Sequence, residues 1–272
     1  MIVFPVVVAI VLGFIAAPVF AAPFCSGEVR AVVTDIYPSA DTLPSNTLRF
    51  YVYFSEPMRR DADSSFVSLE NATGQAVPGA FLPTRYGLWS SDGRRLTIVL
   101  DPGRVKTGLA TNKAQGRALQ AGESYRLTIG ANAVDARGCA LKRATTKAFD
   151  AVAADVSPPQ VEDWVLMRPG VDTTEPLIVK LDGVYDHASL AYRLRVYDAA
   201  DKPIAGRIAV ASAESAWLFT PAQPWADTTY RLVVRPELED VSGNRPGTLF
   251  DQPLVASTND PPTLSRAFAP QP

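Results

Sequence analysis

One stretch of this chain occurs twice. Tyr125-Arg126-Leu127-Thr128-Ile129 leads on to Asp135-Ala136-Arg137-Gly138, and Tyr230-Arg231-Leu232-Val233-Val234 leads on to Asp240-Val241-Ser242-Gly243, so Tyr, Asp and Gly all recur at one offset of 105 residues. Earlier landmarks repeat at larger offsets: Leu48 to Leu177 is 129, Gly79 to Gly206 is 127 and Pro102 to Pro221 is 119. The offset falls in steps, so the first copy carries extra loop residues. A chain of 272 residues has room for two ordinary domains, and 47% hydrophobic with 20% charged residues is a globular balance.

The segments between landmarks read as strands. Leu48, Phe50, Val52 and Phe54 alternate with Arg49, Tyr51 and Tyr53, which puts four apolar side chains on one face and an amphipathic set on the other. Ser55-Glu56-Pro57 stops that run, because proline cannot continue the ladder. Val29 to Ile36, Phe66 to Glu70 with a hairpin return over Ala76 to Leu82, Arg95 to Leu100, Tyr125 to Ile129 and Thr146 to Val152 complete about seven strands. Pro158-Pro159 marks a stiff boundary, after which a second set follows: Glu162 to Met167, Leu177 to Leu181, Leu194 to Asp198, Gly206 to Val210, Ala216 to Thr220, Tyr230 to Val234 and Leu249 to Val255. Ser257 to Pro272 holds four prolines and little apolar pattern and reads as a disordered tail.

Two sets of seven short strands predict an all-β chain of two tandem immunoglobulin-like sandwiches, over 25–155 and 156–256. Tyr125 and Tyr230 open the penultimate strand of each set, where a tyrosine hydroxyl can bond back to upstream backbone and pin the corner between sheets. Asp135-x-x-Gly138 and Asp240-x-x-Gly243 then supply the left-handed position for the turn into the last strand.

These residues resemble the bacterial Ig-like domains of surface-layer and other exported proteins. The first repeat is similar at Leu48 to Met58, at Leu96 to Pro102, at Gly122-x-x-Tyr125 and at Asp135-Ala-Arg-Gly138; the second at Phe219-Thr-Pro221, Tyr230-Arg-Leu232 and Asp240-Val-Ser-Gly-Asn244. The resemblance covers roughly residues 28 to 256. Where the pattern usually places Asn after the Gly, the first repeat has Cys139, which fits replacement of turn chemistry by a disulfide. The resemblance implies a fold; such sandwiches serve as spacers, adhesion modules and accessory domains, and imply no catalytic residues.

Ile2 to Ala22 carries no charge and ends at Val19-Phe20-Ala21, which suits cleavage after Ala21. Residues 1–22 therefore read as a secretory signal, with an uncleaved anchor as the alternative, since the run has the roughly 20 residues that a membrane span needs. Phe24 before Cys25 is too bulky for lipoprotein processing. A periplasmic or surface address gives the two cysteines meaning: Cys25 and Cys139 allow one connectivity and predict a disulfide.

The formal net charge of −2 divides unevenly, with 16 basic against 13 acidic residues up to residue 155 and 10 against 15 beyond it. That asymmetry favours docking of the halves on each other and falls short of a nucleic-acid-binding signal. From Pro102 to Tyr125 the step is 23 positions where from Pro221 to Tyr230 it is 9, and the added loop carries Arg104, Lys106, Lys113 and Arg117 with no acid between Asp101 and Glu123. This loop is the candidate anion-binding site, facing anionic lipid, wall polymer or the acidic second half. His187 reads as a surface-loop residue without a catalytic partner. Asp61 with Asp63, and Glu237 with Glu239 and Asp240, read as solvated turns rather than calcium loops, so no metal or cofactor is implied. Trp217 reads as core, and Trp89 and Trp225, at loop edges, are the residues a glycan-binding surface would need to share. The expectation is an exported, non-enzymatic structural or binding module of unnamed partner, with a glycan-handling accessory or a membrane-tethered subunit as alternatives.

Overall fold

The structure, a computed structural model, describes residues 25, 30–60, 65–84, 87–252 and 263–272. The expected signal segment and the Asp61/Asp63 pair lie outside the described residues. The first half contributes β1 (Val33–Tyr37), β2 (Thr42–Pro44), β3 (Arg49–Phe54), β4 (Val67–Asn71), β5 (Leu88–Trp89), β6 (Arg95–Val99), the helices α1 (Pro102–Val105) and α2 (Ala110–Gln115), β7 (Ser124–Ile129) and β8 (Thr145–Val152). One sheet runs β1-β3-β6-β5 and the other β2-β8-β7-β4. All pairings are antiparallel except β2 with β8, so the opening segment leaves the first sheet after Tyr37 and runs parallel to the closing strand of the second.

The second half contributes β9 (Val165–Met167), β10 (Leu177–Lys180), α3 (His187–Arg193), β11 (Leu194–Tyr197), β12 (Gly206–Val210), β13 (Ala216–Pro221), β14 (Tyr230–Val234) and β15 (Leu264–Phe268). Its sheets run β12-β13-β10-β9 and β11-β14-β15. Lettered in chain order these are the ABED and CFG sheets of an immunoglobulin sandwich, and each half closes over its own core. Phe50 meets Phe149 across the first core at 5.5 Å, while Trp217, Phe219, Trp225, Tyr230 and Phe268 form a connected aromatic set in the second. Trp217 is fully buried.

The repeated tyrosines have one geometry. Tyr125 Oη accepts from Gln120 N–H at 2.8 Å, and Tyr230 Oη accepts from Ala226 N–H at 3.0 Å. Each ties the loop entering the penultimate strand to that strand's first residues. Gly138 and Gly243 both take positive φ, 87° and 79°, where a side chain would be strained.

The tail departs from the sequence expectation. Instead of a disordered segment over 257–272, Leu264–Phe268 is the last strand and pairs with β14 from Tyr230↔Phe268 to Val234↔Leu264. The sheet edge at β14 needs a partner, and Phe268 supplies a buried ring against Trp225 and Tyr230. The Arg266 guanidinium donates to the carbonyls of Val161, Glu162 and Trp164, and Gln271 N–H donates to Pro169 O at 2.8 Å. Flanking prolines hide this alternation in the sequence. The strand expected over 249–255 does not form in its described part: residues 249–252 are a turn, and 253–255 lie outside the described residues. Ala76 to Leu82 likewise makes only isolated bridges, Glu70↔Ala76 and Phe81↔Leu100, rather than a hairpin strand.

Cys25 and Cys139 are bonded, with a sequence separation of 114. The bond tethers the start of the first sandwich to the turn after Gly138. Replacing both cysteines by serine is expected to lower first-sandwich stability by up to about 4–5 kcal/mol, the chain-entropy limit for a loop of this size. Denaturant unfolding measures it, and an unchanged midpoint contradicts the structural role.

Candidate functional site

The outward face of β3 is covered by the second half. Its inward residues Phe50, Val52 and Phe54 are buried in the first core, and its outward Tyr51 is buried too, because the start of α3 sits on it. Tyr51 Oη donates to Asp186 Oδ2 at 2.9 Å, and Asp186, the N-cap of α3, also accepts from Ser189 N–H at 2.8 Å. Arg49 lies 3.5 Å from Asp186 and pairs with Glu239, whose other oxygen accepts from Arg245 at 2.6 Å. Burial pushes the Asp186 carboxyl above its ordinary range, while Arg49, the Ser189 N–H and Tyr51 hold against that push. Burial, with the charge of Asp186 beside it, raises Tyr51 as well.

A second contact centres on Glu214, which is fully buried. Ser39 donates to it from its backbone N–H at 2.8 and 2.9 Å and from its hydroxyl at 2.8 Å, and Ala213 N–H returns a bond to Ser39 Oγ. Ala213 and Glu214 both have positive φ, 61° and 47°, an uncommon conformation for residues with a Cβ. That conformation is held where the carboxylate meets the other half of the chain. His187 is not a surface-loop residue. As the first residue of α3 it stacks on Tyr37, with centroids 3.5 Å apart, and its Nδ1 lies 3.8 Å from Glu214 Oε1. Tyr53 meets the imidazole edge-on. Lys147 donates to Ser39 O at 3.1 Å and is pushed down by burial.

The third contact is the second copy of the repeated turn. Asp240 accepts from Ser242 N–H, Asn244 N–H and Asn244 Nδ2 at 2.7, 2.9 and 2.9 Å. The turn so formed presents Val241 O to Leu48 N–H at 2.8 Å, and Ser242 Oγ to Asn46 Oδ1 at 3.0 Å. A Cβ on Gly243 would stand 2.8 Å from Leu48 Cδ2, so glycine permits the approach as well as the turn. The linker is held in the same network: Asp155 O accepts from Asn46 Nδ2 at 2.7 Å and from Asn244 Nδ2 at 3.3 Å, and Asp155 N–H donates to Asn46 Oδ1.

The first copy uses the same scaffold otherwise. Asp135 accepts from Arg137 and Cys139 N–H, both at 2.9 Å, and also pairs with the Arg137 guanidinium at 2.8 Å. Burial pushes Asp135 up, but the Cys139 N–H and Arg137 outweigh it and hold the carboxyl below its ordinary range. Asp240 has Ser242 where Asp135 has Arg137, so its charge has no cation in the turn.

Most bases of the insert are engaged within the chain. Arg104 is only 6% exposed, and its guanidinium donates to the carbonyls of Pro78, Gln115, Gly116 and Arg117, a structural tie between α1 and α2. Arg117 donates to Val105 O at 2.6 Å and lies 3.4 Å from Asp251, which also accepts from Thr107 N–H and Oγ1 at 2.7 and 2.8 Å. Lys106 Nζ sits 4.4 Å from the Phe250 ring centroid. Three of the four bases are thus occupied within the chain, two of them against residues 250–251 of the acidic half; Lys113 stays exposed. Trp225 is buried in the second core with its Nε1 on Glu175 O, and Trp89 packs on Phe54 in the first, so the two do not share a surface. Among the described residues no group of three or more His, Cys, Asp or Glu is placed to hold a metal.

Beside these contacts a cleft of about 470 Å³ remains open between the halves, walled by Arg49, Tyr51 and Arg95 on one side and by Tyr192, Arg193 and Glu239 on the other. The charge asymmetry of the halves favoured their docking, but it did not point to the residues that meet or to the cleft. The available signal was the amphipathic outer face of β3, whose Arg49, Tyr51 and Tyr53 are too aromatic for a solvated sheet face.

No family model matches this chain, and no curated protein matches it. Among solved structures it is similar to a fragment of native alpha-2-macroglobulin from Escherichia coli, at 12% identity over 76% of this chain and 66% of that one, with a TM-score of 0.29. It is also similar to the titin domains Z1Z2, at 16% identity over 76% and 89%, TM-score 0.22. A third is a fibronectin-domain fragment of chicken CNTN1, at 14% identity over 88% and 67%, TM-score 0.23.

Burial pushes the Asp240 carboxyl up to about 7, with Asp155 adding to the push and the N–H donors of Asn244 and Ser242 opposing it. The folded state therefore holds this proton more tightly than the unfolded chain. Its contribution to stability is complete below about pH 4 and is lost as pH rises through the folded value. Stability by denaturant unfolding is expected to fall from about pH 5 to about pH 8, and Asp240→Asn to flatten that slope. A wild-type stability that rises over this interval contradicts the assignment.

Proposed function

We propose that this chain is an exported, non-enzymatic binding or structural module in which two Ig-like sandwiches act as one rigid unit. The observation that carries this reading is the polar contact between the halves, where Asp186, Glu214 and Asp240 are each buried within networks that reach the first sandwich. A spacer on a free hinge has no use for such an interface; a module that presents a surface at a fixed angle does. Export is supported by the disulfide between Cys25 and Cys139, since such bonds persist in oxidising compartments, and by the uncharged run from Ile2 to Ala22. The likeness of the Phe-Ser-Glu-Pro strand end and the Asp-x-x-Gly turns to surface-layer-type Ig-like domains supports a place at or outside the inner membrane.

The test is to express the chain with its own N-terminus in a bacterial host and fractionate the cells. The expected product lacks residues 1–21, is found outside the cytoplasm, and takes up no alkylating agent unless first reduced. Full-length protein in the cytoplasm with two labelled thiols contradicts the reading, and full-length protein in the membrane fraction replaces it by the tethered form.

A further inference from the structure

We propose that the cleft between the sandwiches binds a carboxylate-bearing sugar chain, with Arg95 as the partner of the carboxylate and Tyr192 as the platform for the sugar ring. This names the ligand class of the module proposed above and rests on that reading. The cleft, about 470 Å³, falls in the size range of small-ligand sites. It exists only because the halves are docked: β3 and β6 form one wall, α3 and the 237–245 segment the other.

Four arginines and three carboxylates line it. Arg49 is matched by Asp186 and Glu239, Arg245 by Glu239, and Arg193 by Glu237 at 3.5 Å. Arg95 has no ion pair among the described residues. Its guanidinium carbon lies 5.4 Å from the Tyr51 ring centroid, which holds it in place, and its Nε is buried with no acceptor. The buried Nε is out of a ligand's reach, so the anion would be met end-on by the two terminal guanidinium nitrogens, whose fork matches a planar two-oxygen group.

The other groups narrow the anion. Asp186, Glu237 and Glu239 in the same cleft oppose a double negative charge concentrated on one group, so a phosphate monoester fits less well than carboxylates spread one to a sugar ring. Tyr192 is 62% exposed, unusual for so large a ring, and stands on the α3 wall amid polar side chains. An exposed aromatic face beside hydroxyl and carboxylate groups suits a sugar ring, whose C–H face packs on the ring while its hydroxyls bond at the edge. Ser189 Oγ accepts from Glu239 N–H and keeps its own proton to donate. Thr97 adds a second hydroxyl. These partners recognise uronic-acid residues in a glycan.

The experiment is calorimetric titration of the purified, disulfide-bonded chain with trigalacturonate, its methyl ester and inorganic phosphate. Saturable binding of trigalacturonate is expected, weakened at least about tenfold by methyl esterification and by Arg95→Gln, as for loss of a charge-assisted bond. Tyr192→Ala, at an exposed position that the fold does not need, is expected to weaken it as well and keeps the test decisive if Arg95→Gln fails to fold. Absence of binding, binding unchanged by esterification and by both substitutions, or phosphate binding as tightly as trigalacturonate overturns the proposal. Fractionation tests export and solution scattering tests the rigid unit, so failure of the ligand is distinguishable from failure of the module.

Discussion

Asp186 is a carboxylate with 4% of its side chain exposed, and two of the three groups that hold it there belong to the other sandwich. Its own helix supplies the Ser189 N–H; Tyr51 and Arg49 of β3 supply a hydroxyl and a guanidinium. Undocking would leave Tyr51 and the apolar contacts of Val184, Ala213 and Phe250 in water. It would also break the bonds that Ser39 makes to a fully buried Glu214. Buried charge is expensive to create and more expensive to leave without its partner. Such an interface specifies one arrangement, because the three carboxylate sites have to be satisfied together.

The duplicated turn shows how one motif came to serve two ends. In both copies the Asp side chain caps its own turn through backbone N–H groups and glycine takes the left-handed position. The first copy neutralises its Asp with Arg137 and is closed by the bond to Cys25. The second has Ser242 in place of the arginine and uses that hydroxyl to reach Asn46. Asp240 remains buried without a cation in its turn, and the contact becomes sensitive to pH.

Much of the architecture could be read in the residues. The alternation over β3, the Tyr at the start of β7 and β14 and the positive-φ glycines are local signals, and local signals survive in a single sequence. β15 was hidden because its alternating Leu264, Arg266 and Phe268 are framed by prolines, and only the open edge of β14 explains why they pair. The two short helices of the insert lack the length for a 3.6-residue period. The role of the insert's charges was hidden for another reason: Arg104 is occupied by carbonyls that the sequence does not mark as acceptors. The cleft depends on residues from β6 and α3 nearly a hundred positions apart, and no spacing rule joins them.

The central claim is that the two sandwiches form one body whose angle is set by the Asp186, Glu214 and Asp240 contacts. Small-angle X-ray scattering of the purified, disulfide-bonded chain tests it most directly. The account predicts a scattering curve fitted by one compact conformer, with Tyr51→Phe combined with Glu214→Ala shifting the curve toward an extended mixture. A wild-type curve that requires an ensemble of separated sandwiches would contradict it.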